Sequence, residues 1–169
     1  MLTALLSDTA RCCIAFVLLA AAVGKLRGYT AFRDNLATSF GLPLRAAAWA
    51  APGLLAAELL LAGWILAGGT HLPMQLSLLL LGTLTAVLVH RYFTRSVVRC
   101  NCFGEAARPV SPYDLLRNAL LVGINGAYFA LAQDAALPVA ATVLAGGLAA
   151  IGCVAILSLH DIATLARAH

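Results

Sequence analysis

Long runs without charged residues dominate this chain. No charge falls between residues 135 and 159 or between His71 and His90, and only Glu58 falls between Arg45 and His71. A helix that crosses about 30 Å of hydrocarbon needs ~20 predominantly apolar residues. Only 11% of the 169 residues are charged, whereas soluble domains average about 25%. These runs predict an all-α, integral membrane helical bundle.

A single multi-pass membrane domain over residues 1–169 is predicted to contain five spans, at about residues 5–24, 48–68, 72–90, 115–133 and 138–159. Four form the core and the fifth is a C-terminal addition. The first span holds Asp8 and Arg11 in its opening turns, where a spacing of three lets the two side chains pair on a helix. Arg11, the apolar run and Ala20-Ala21-Ala22 also imitate a signal sequence. Because four further spans follow and Lys25 comes soon after, we interpret this segment as a retained helix.

Positive residues are concentrated in two connections. Four of the 11 Lys and Arg residues lie in residues 24–45 and five in residues 90–117, whereas residues 68–73 and 133–138 contain none. Cytoplasmic connections are enriched in Lys and Arg. We therefore expect a multi-pass protein of the cell (inner) membrane, with both basic connections and the C-terminus in the cytoplasm. Lipid is an expected partner and nucleic acid is not.

Two connecting segments carry short-range helix signals. Tyr29, Phe32, Leu36 and Phe40 are spaced three or four apart among polar residues. This spacing suits either a short helix in the headgroup plane or an ordinary amphipathic loop. Ser111-Pro112-Tyr113-Asp114 is typical of a helix start, with Ser as the cap, Pro in the first turn and an acid near the N-terminus.

The most reactive residues are two cysteines in Arg99-Cys100-Asn101-Cys102-Phe103-Gly104, within a connection predicted over residues 91–114. Thiolates beside Arg95 and Arg99 are stabilised by the positive charges. A disulfide between Cys100 and Cys102 would close a very small ring, so it should be strained and easily reduced. This pattern favours thiol–disulfide exchange. The alternatives are inert thiols, or metal binding with His90 as a third ligand, although two thiolates alone are an incomplete metal site. No metal site is predicted.

Glu58 lies near the middle of the second span. A charge at the bilayer centre costs from ~2.5 kcal/mol upwards, so intramembrane acids usually face the bundle interior. We expect Glu58 to be protonated or paired with Lys25 or Arg117. Its role is either proton uptake coupled to thiol or quinone redox chemistry, or a polar contact that holds helices together.

Other polar or sulfur-containing residues in the spans are expected to serve packing. Free cysteines behave as small hydrophobic residues in helix interfaces, and amide and hydroxyl groups hydrogen-bond between membrane helices. These residues are Cys12, Cys13, Cys153, Asn118, Asn125 and Tyr128. The alternative for one of these three cysteines is to accept electrons from Cys100 or Cys102 across the bundle.

Several of these motifs together resemble the MauE family, which is related to DoxX-like membrane proteins. They are Gly24-Lys25-Leu26, Phe40-Gly41-Leu42-Pro43, Glu58, Cys100-Asn101-Cys102-Phe103-Gly104 and Arg117-Asn118. The resemblance extends to about Leu131 and leaves the fifth span outside. It implies a membrane component of methylamine utilisation that assists maturation of a disulfide-rich periplasmic dehydrogenase subunit, alongside a thioredoxin-like partner.

The residues and the resemblance together predict a membrane thiol–disulfide redox or maturation factor acting on a thioredoxin-like or other redox protein. The predicted catalytic residues are Cys100, Cys102 and Glu58. The predicted supporting residues are Arg95, Arg99, Lys25, Arg117 and Asn118. One alternative is a DoxX-like oxidoreductase that passes electrons to a quinone, and a quinone is the one cofactor that these readings imply. The other alternative is a non-catalytic scaffold for a redox partner. Since the implied clients are periplasmic and the cysteine pair is predicted to be cytoplasmic, either electrons cross the membrane or the topology is inverted.

Overall fold

The computed structural model describes residues 1–94, 110–131 and 138–159. Within these ranges the chain is helical and contains no strand. The helices are α1 (Leu2–Arg27), α2 (Tyr29–Thr38), α3 (Leu44–Ala67), α4 (Leu72–Thr94), α5 (Pro112–Leu131) and α6 (Val139–Leu157).

Four of the described helices, α1, α3, α4 and α6, are long and apolar enough to cross a membrane. This confirms the prediction of an all-α, multi-pass membrane bundle. The 20-residue helix α5, predicted as a span, is not among the four, and it carries Asp114 and Arg117 in its first two turns. Its crossing of the membrane stays a prediction.

Helix α1 is the central element of the bundle. It packs against α2, α3, α5 and α6. Half of the residues in its most apolar stretch are buried, compared with 22% in the corresponding stretch of each of α3, α4 and α6. Ala15 and Ala22 are completely buried, because small residues let neighbouring helix backbones approach closely. The first predicted span is therefore the helix around which the others are arranged.

Contacts between helix ends show which connections share an end of the bundle. The Arg91 guanidinium, near the end of α4, donates to the carbonyl of Phe40, just before α3. At the opposite end, Arg11 of α1 donates to the carbonyl of Ile65, near the end of α3, at 3.2 Å. We call the end that holds Lys25, α2 and Arg91 the basic end. Both basic connections thus meet the described helices at one end of the bundle, and the cytoplasmic location of that end stays a prediction.

The local signals in the sequence correspond to described structure. Residues 29–38 form helix α2 rather than a loop, although its depth in the headgroups stays a prediction. Asp8 and Arg11 pair as expected, at 2.6 Å. Helix α5 begins at Pro112, and the Asp114 carboxylate accepts hydrogen bonds from the Ser111 N–H at 2.8 Å and the Ser111 hydroxyl at 2.9 Å. An acid at this position satisfies an amide before the first turn.

The connection predicted over residues 91–114 is shortened at both ends by helix. Helix α4 continues to Thr94 and α5 already begins at Pro112. A cation in the last turn, Arg91, favours continuation of α4 through the helix dipole. Proline is well suited to the first helical position. Cys100 and Cys102 lie outside the described residues.

Candidate functional site

A buried ion pair joins α1 to α3. The Lys25 Nζ atom lies 2.6 Å from Oε1 and 2.8 Å from Oε2 of Glu58, and each side chain is only 3% exposed. Lys25 occupies the last turn of α1, where the helix dipole favours a cation. The sequence left Lys25 and Arg117 as the two expected partners of Glu58. Lys25 is the one that contacts both carboxylate oxygens.

Helix α2 covers the pair from the basic end. The ring of Phe32 is buried, and its centroid lies 5.5 Å from Lys25 Nζ. A cation within about 6 Å of an aromatic face is attracted by the ring quadrupole. Lys25 is thus held by a carboxylate on one helix and an aromatic ring on another.

Arg117 occupies a separate ionic contact on α5. Its guanidinium lies 3.4 Å from the Asp114 carboxylate three residues earlier, and both side chains are 8% exposed. This pair spans the first two turns of α5 and supports the start of that helix. Asn118 is the next residue along the chain, and it lines the cavity described below.

A cavity of about 570 Å³ adjoins the Lys25–Glu58 pair and is bounded by residues of α1, α2, α3, α4 and α5. Most of its lining is aliphatic or aromatic. The polar side chains in the wall are Lys25, Asn35, Glu58, Thr85 and Asn118. Ligand sites are commonly cavities of this size, mostly apolar with a few polar groups that orient the ligand. The fold therefore brings three predicted site residues, Lys25, Glu58 and Asn118, to one cavity.

A second polar cluster holds α4 against α5. The Asn125 amide and the Ser77 hydroxyl are hydrogen-bonded at 2.8 Å, and both residues are fully buried. Nearby, the Tyr128 hydroxyl lies 2.8 Å from Nδ1 of His71. The Asn125 contact confirms a predicted interhelical hydrogen bond, whereas Tyr128 of α5 bonds to His71, which directly precedes α4. Ser77 was not predicted; its spacing of four from Leu81 and eleven from Leu88 places it on one face of α4 with them, but α4 also contains three threonines, so the sequence does not single it out.

The cysteines fall into two groups. Cys12, Cys13 and Cys153 are buried free thiols in the core around α1 and α6, as expected for cysteines that pack as small hydrophobic residues. Cys100 and Cys102, together with Arg95 and Arg99, lie outside the described residues.

Comparison with known proteins adds the family. The family model for the methylamine utilisation protein MauE matches residues 3–133. The chain belongs to the MauE family. The matched region contains Lys25, Glu58, Asn118 and both Cys100 and Cys102, whereas α6 lies beyond it. No curated protein and no solved structure matches the chain. In this MauE-type membrane protein, α6 packs directly on the central helix α1.

Proposed function

We propose that this MauE-type protein is a membrane thiol–disulfide redox factor that assists maturation of a partner, using Cys100 and Cys102. The supporting observation is that the cysteine-bearing connection starts at the basic end of the bundle, towards which the cavity lies. That connection leaves α4 at Thr94, and Arg91 in the same last turn contacts Phe40 at the basic end. The cavity and the Lys25–Glu58 pair lie towards this end.

The proposed reaction is a two-step exchange. The Cys100 thiolate attacks a partner disulfide, forms a mixed disulfide and releases one partner thiolate. The Cys102 thiolate then attacks the Cys100 sulfur, forms the Cys100–Cys102 disulfide and releases the second partner thiolate. Two electrons pass to the partner, and the reverse sequence oxidises it. Arg95 and Arg99 favour the thiolates.

Glu58 is proposed to exchange the protons that accompany this chemistry, with Lys25, Arg117 and Asn118 in support. A carboxylate paired with an ammonium group can take up a proton when the ammonium finds another acceptor. The wall of the cavity provides polar groups, including Asn118, beside the pair. The proposed location is the cell (inner) membrane, with both basic connections in the cytoplasm. If the client is periplasmic, this orientation requires electrons to cross the membrane.

The experiment that tests the exchange uses Cys100→Ser and Cys102→Ser separately. Cells are quenched with acid and alkylated, and non-reducing gels are compared with reducing gels. Removal of the resolving cysteine traps the mixed disulfide, so Cys102→Ser should show a reducible adduct with a thioredoxin-like or other redox partner. The double variant should show none. Absence of an adduct in both single variants, with normal client maturation in the double variant, would reject the exchange.

Two other functions differ in what happens to the electrons. In a quinone-linked oxidoreductase the cysteine pair passes them to a quinone, and the apolar cavity beside Glu58 favours this form. In a non-catalytic scaffold the protein only holds a redox partner at the membrane. Client maturation that survives loss of both cysteines would favour the scaffold.

A further inference from the structure

The cavity beside the ion pair opens sideways between α3 and α4. Gly53 on α3 and Leu84 and Val87 on α4 line the cavity, and all three are exposed residues, from which we infer that the cavity is open along this side. Both helices are long and apolar enough to cross a membrane. Lipid therefore faces this opening, and a lipid-soluble molecule can enter without passing through water.

The boundary between α3 and α4, at which the cavity opens, continues as an open groove towards the other end of the bundle. The groove is lined by residues of α3 and α4 that are apolar apart from Thr83, among them Ala57 and Trp64 of α3 and Leu76 and Leu80 of α4. Ala57 directly precedes Glu58, and Leu80 directly precedes Leu81 of the cavity wall. The boundary thus offers a compact site with polar groups next to an extended apolar groove. This arrangement suits a molecule with a small polar head and a long apolar tail.

The ion pair determines which head is accepted. Lys25 and Glu58 neutralise each other at 2.6 Å, so a charged head would leave an uncompensated charge in a buried site. The ammonium group has three donor hydrogens and the carboxylate about four acceptor positions. Both can therefore contact a ligand while they stay paired. A neutral ring with carbonyl oxygens accepts from Lys25, and its reduced form, with hydroxyls, donates to Glu58.

We propose that this cavity binds the ring of a membrane quinone, with the quinone tail in the α3–α4 groove. The inference rests on the quinone-linked form of the proposed function and assigns the site. Lys25 is the donor to the ring carbonyl of the oxidised form, and Glu58 is the acceptor for the ring hydroxyl of the reduced form. Asn118 and Thr85 are further polar groups in the wall.

Gly53 provides a way to fill the cavity without altering the ion pair. A Cβ atom at Gly53 meets no atom within 4 Å beyond its chain neighbours and the adjacent backbone of α3, and the residue borders the cavity. Gly63 is a matched control on the same helix: it also has open space around an added Cβ, but it lines neither the cavity nor the groove. Both glycines lie inside α3, so the effect of leucine on helix propensity is similar at the two positions.

The test is photolabelling of the purified full chain in phosphatidylcholine vesicles with a photoreactive azidoquinone, with labelled peptides mapped by mass spectrometry. We expect labels on α3 and α4 beside the cavity and groove, competed by the short-tailed quinone decylubiquinone. Gly53→Leu should weaken the competition by at least about tenfold, equivalent to ~1.4 kcal/mol. Gly63→Leu should leave it unchanged.

Two results would overturn the site. One is equal competition in Gly53→Leu and wild type; the other is label spread over all lipid-facing helices without competition. The double variant Cys100→Ser/Cys102→Ser separates this inference from the proposed exchange, because it should lose the partner adduct and keep the labelling. Adduct formation in a protein that shows no competed labelling would refute the quinone site and leave the exchange standing.

Discussion

Disruption of the Lys25–Glu58 pair should destabilise the bundle far more than loss of an exposed pair. Unit charges 2.6 Å apart attract by about 6 kcal/mol at an effective dielectric constant of ~20. The cost of removing both ions from water offsets much of that attraction. Loss of one partner, however, leaves an unpaired buried charge and typically costs about 3 to 5 kcal/mol. We expect Lys25→Met and Glu58→Leu each to lower the free energy of unfolding by this amount.

The double variant Lys25→Met/Glu58→Leu separates the pair from its individual residues. It removes both charges and keeps apolar volume, so its free energy of unfolding should lie close to that of the wild type. Replacement of buried pairs by apolar residues is often neutral or stabilising. The two substitutions should therefore be strongly non-additive, by about 3 kcal/mol or more. The measurement is unfolding in mixed detergent micelles, followed by circular dichroism.

Asp34→Asn provides the control for this comparison of the single and double variants. It breaks the Arg33–Asp34 pair of α2, whose side chains are 44% and 59% exposed, and it should cost no more than about 1 kcal/mol. Additive effects of the Lys25 and Glu58 substitutions would refute the reasoning, since the two side chains would then contribute independently to stability.

Two further predictions concern sidedness and the carboxylate. A single cysteine at Ala107, in a background without the native cysteines, should resist a membrane-impermeant thiol reagent in intact cells, because the basic connections are predicted to be cytoplasmic; reaction in intact cells would invert the topology. Glu58→Gln should keep helix content and membrane insertion, since an amide oxygen can still accept from Lys25, but it should impair client maturation because an amide does not take up a proton. Full maturation with this variant would leave Glu58 with a packing role.

The sequence predicted the ion pair in part, because a carboxylate in the middle of an apolar span requires a cation or a proton. The choice between Lys25 and Arg117 depends on how closely α1 approaches α3, and that distance follows from the packing of small residues along α1. The spacing of residues in the sequence does not predict this distance between helices. The helical spacing of residues 29–40 likewise favoured either a helix or a loop, and the contact of Phe32 with Lys25 is tertiary.

The cavity could not be predicted, because it is the volume that five helices leave unfilled. Its residues are distant in sequence, and individually Gly53, Leu84 and Val87 are ordinary residues for a membrane span. Ser77 escaped prediction for a similar reason: serine is common in membrane helices, and only the facing Asn125 distinguishes it. The cysteine pair was the clearest chemical signal in the sequence, and its role depends on the exchange experiment.

The central position of α1 has a consequence for biosynthesis. Synthesis proceeds from the N-terminus, so the innermost helix of the bundle enters the bilayer before any helix that covers it. Until Glu58 follows, 33 residues later, Lys25 has no carboxylate from α3. Its place in the last turn of α1 lets the long side chain reach the aqueous interface meanwhile. Burial of the ammonium group thus coincides with the arrival of α3, and the order of the helices spares the nascent chain an unpaired charge in lipid.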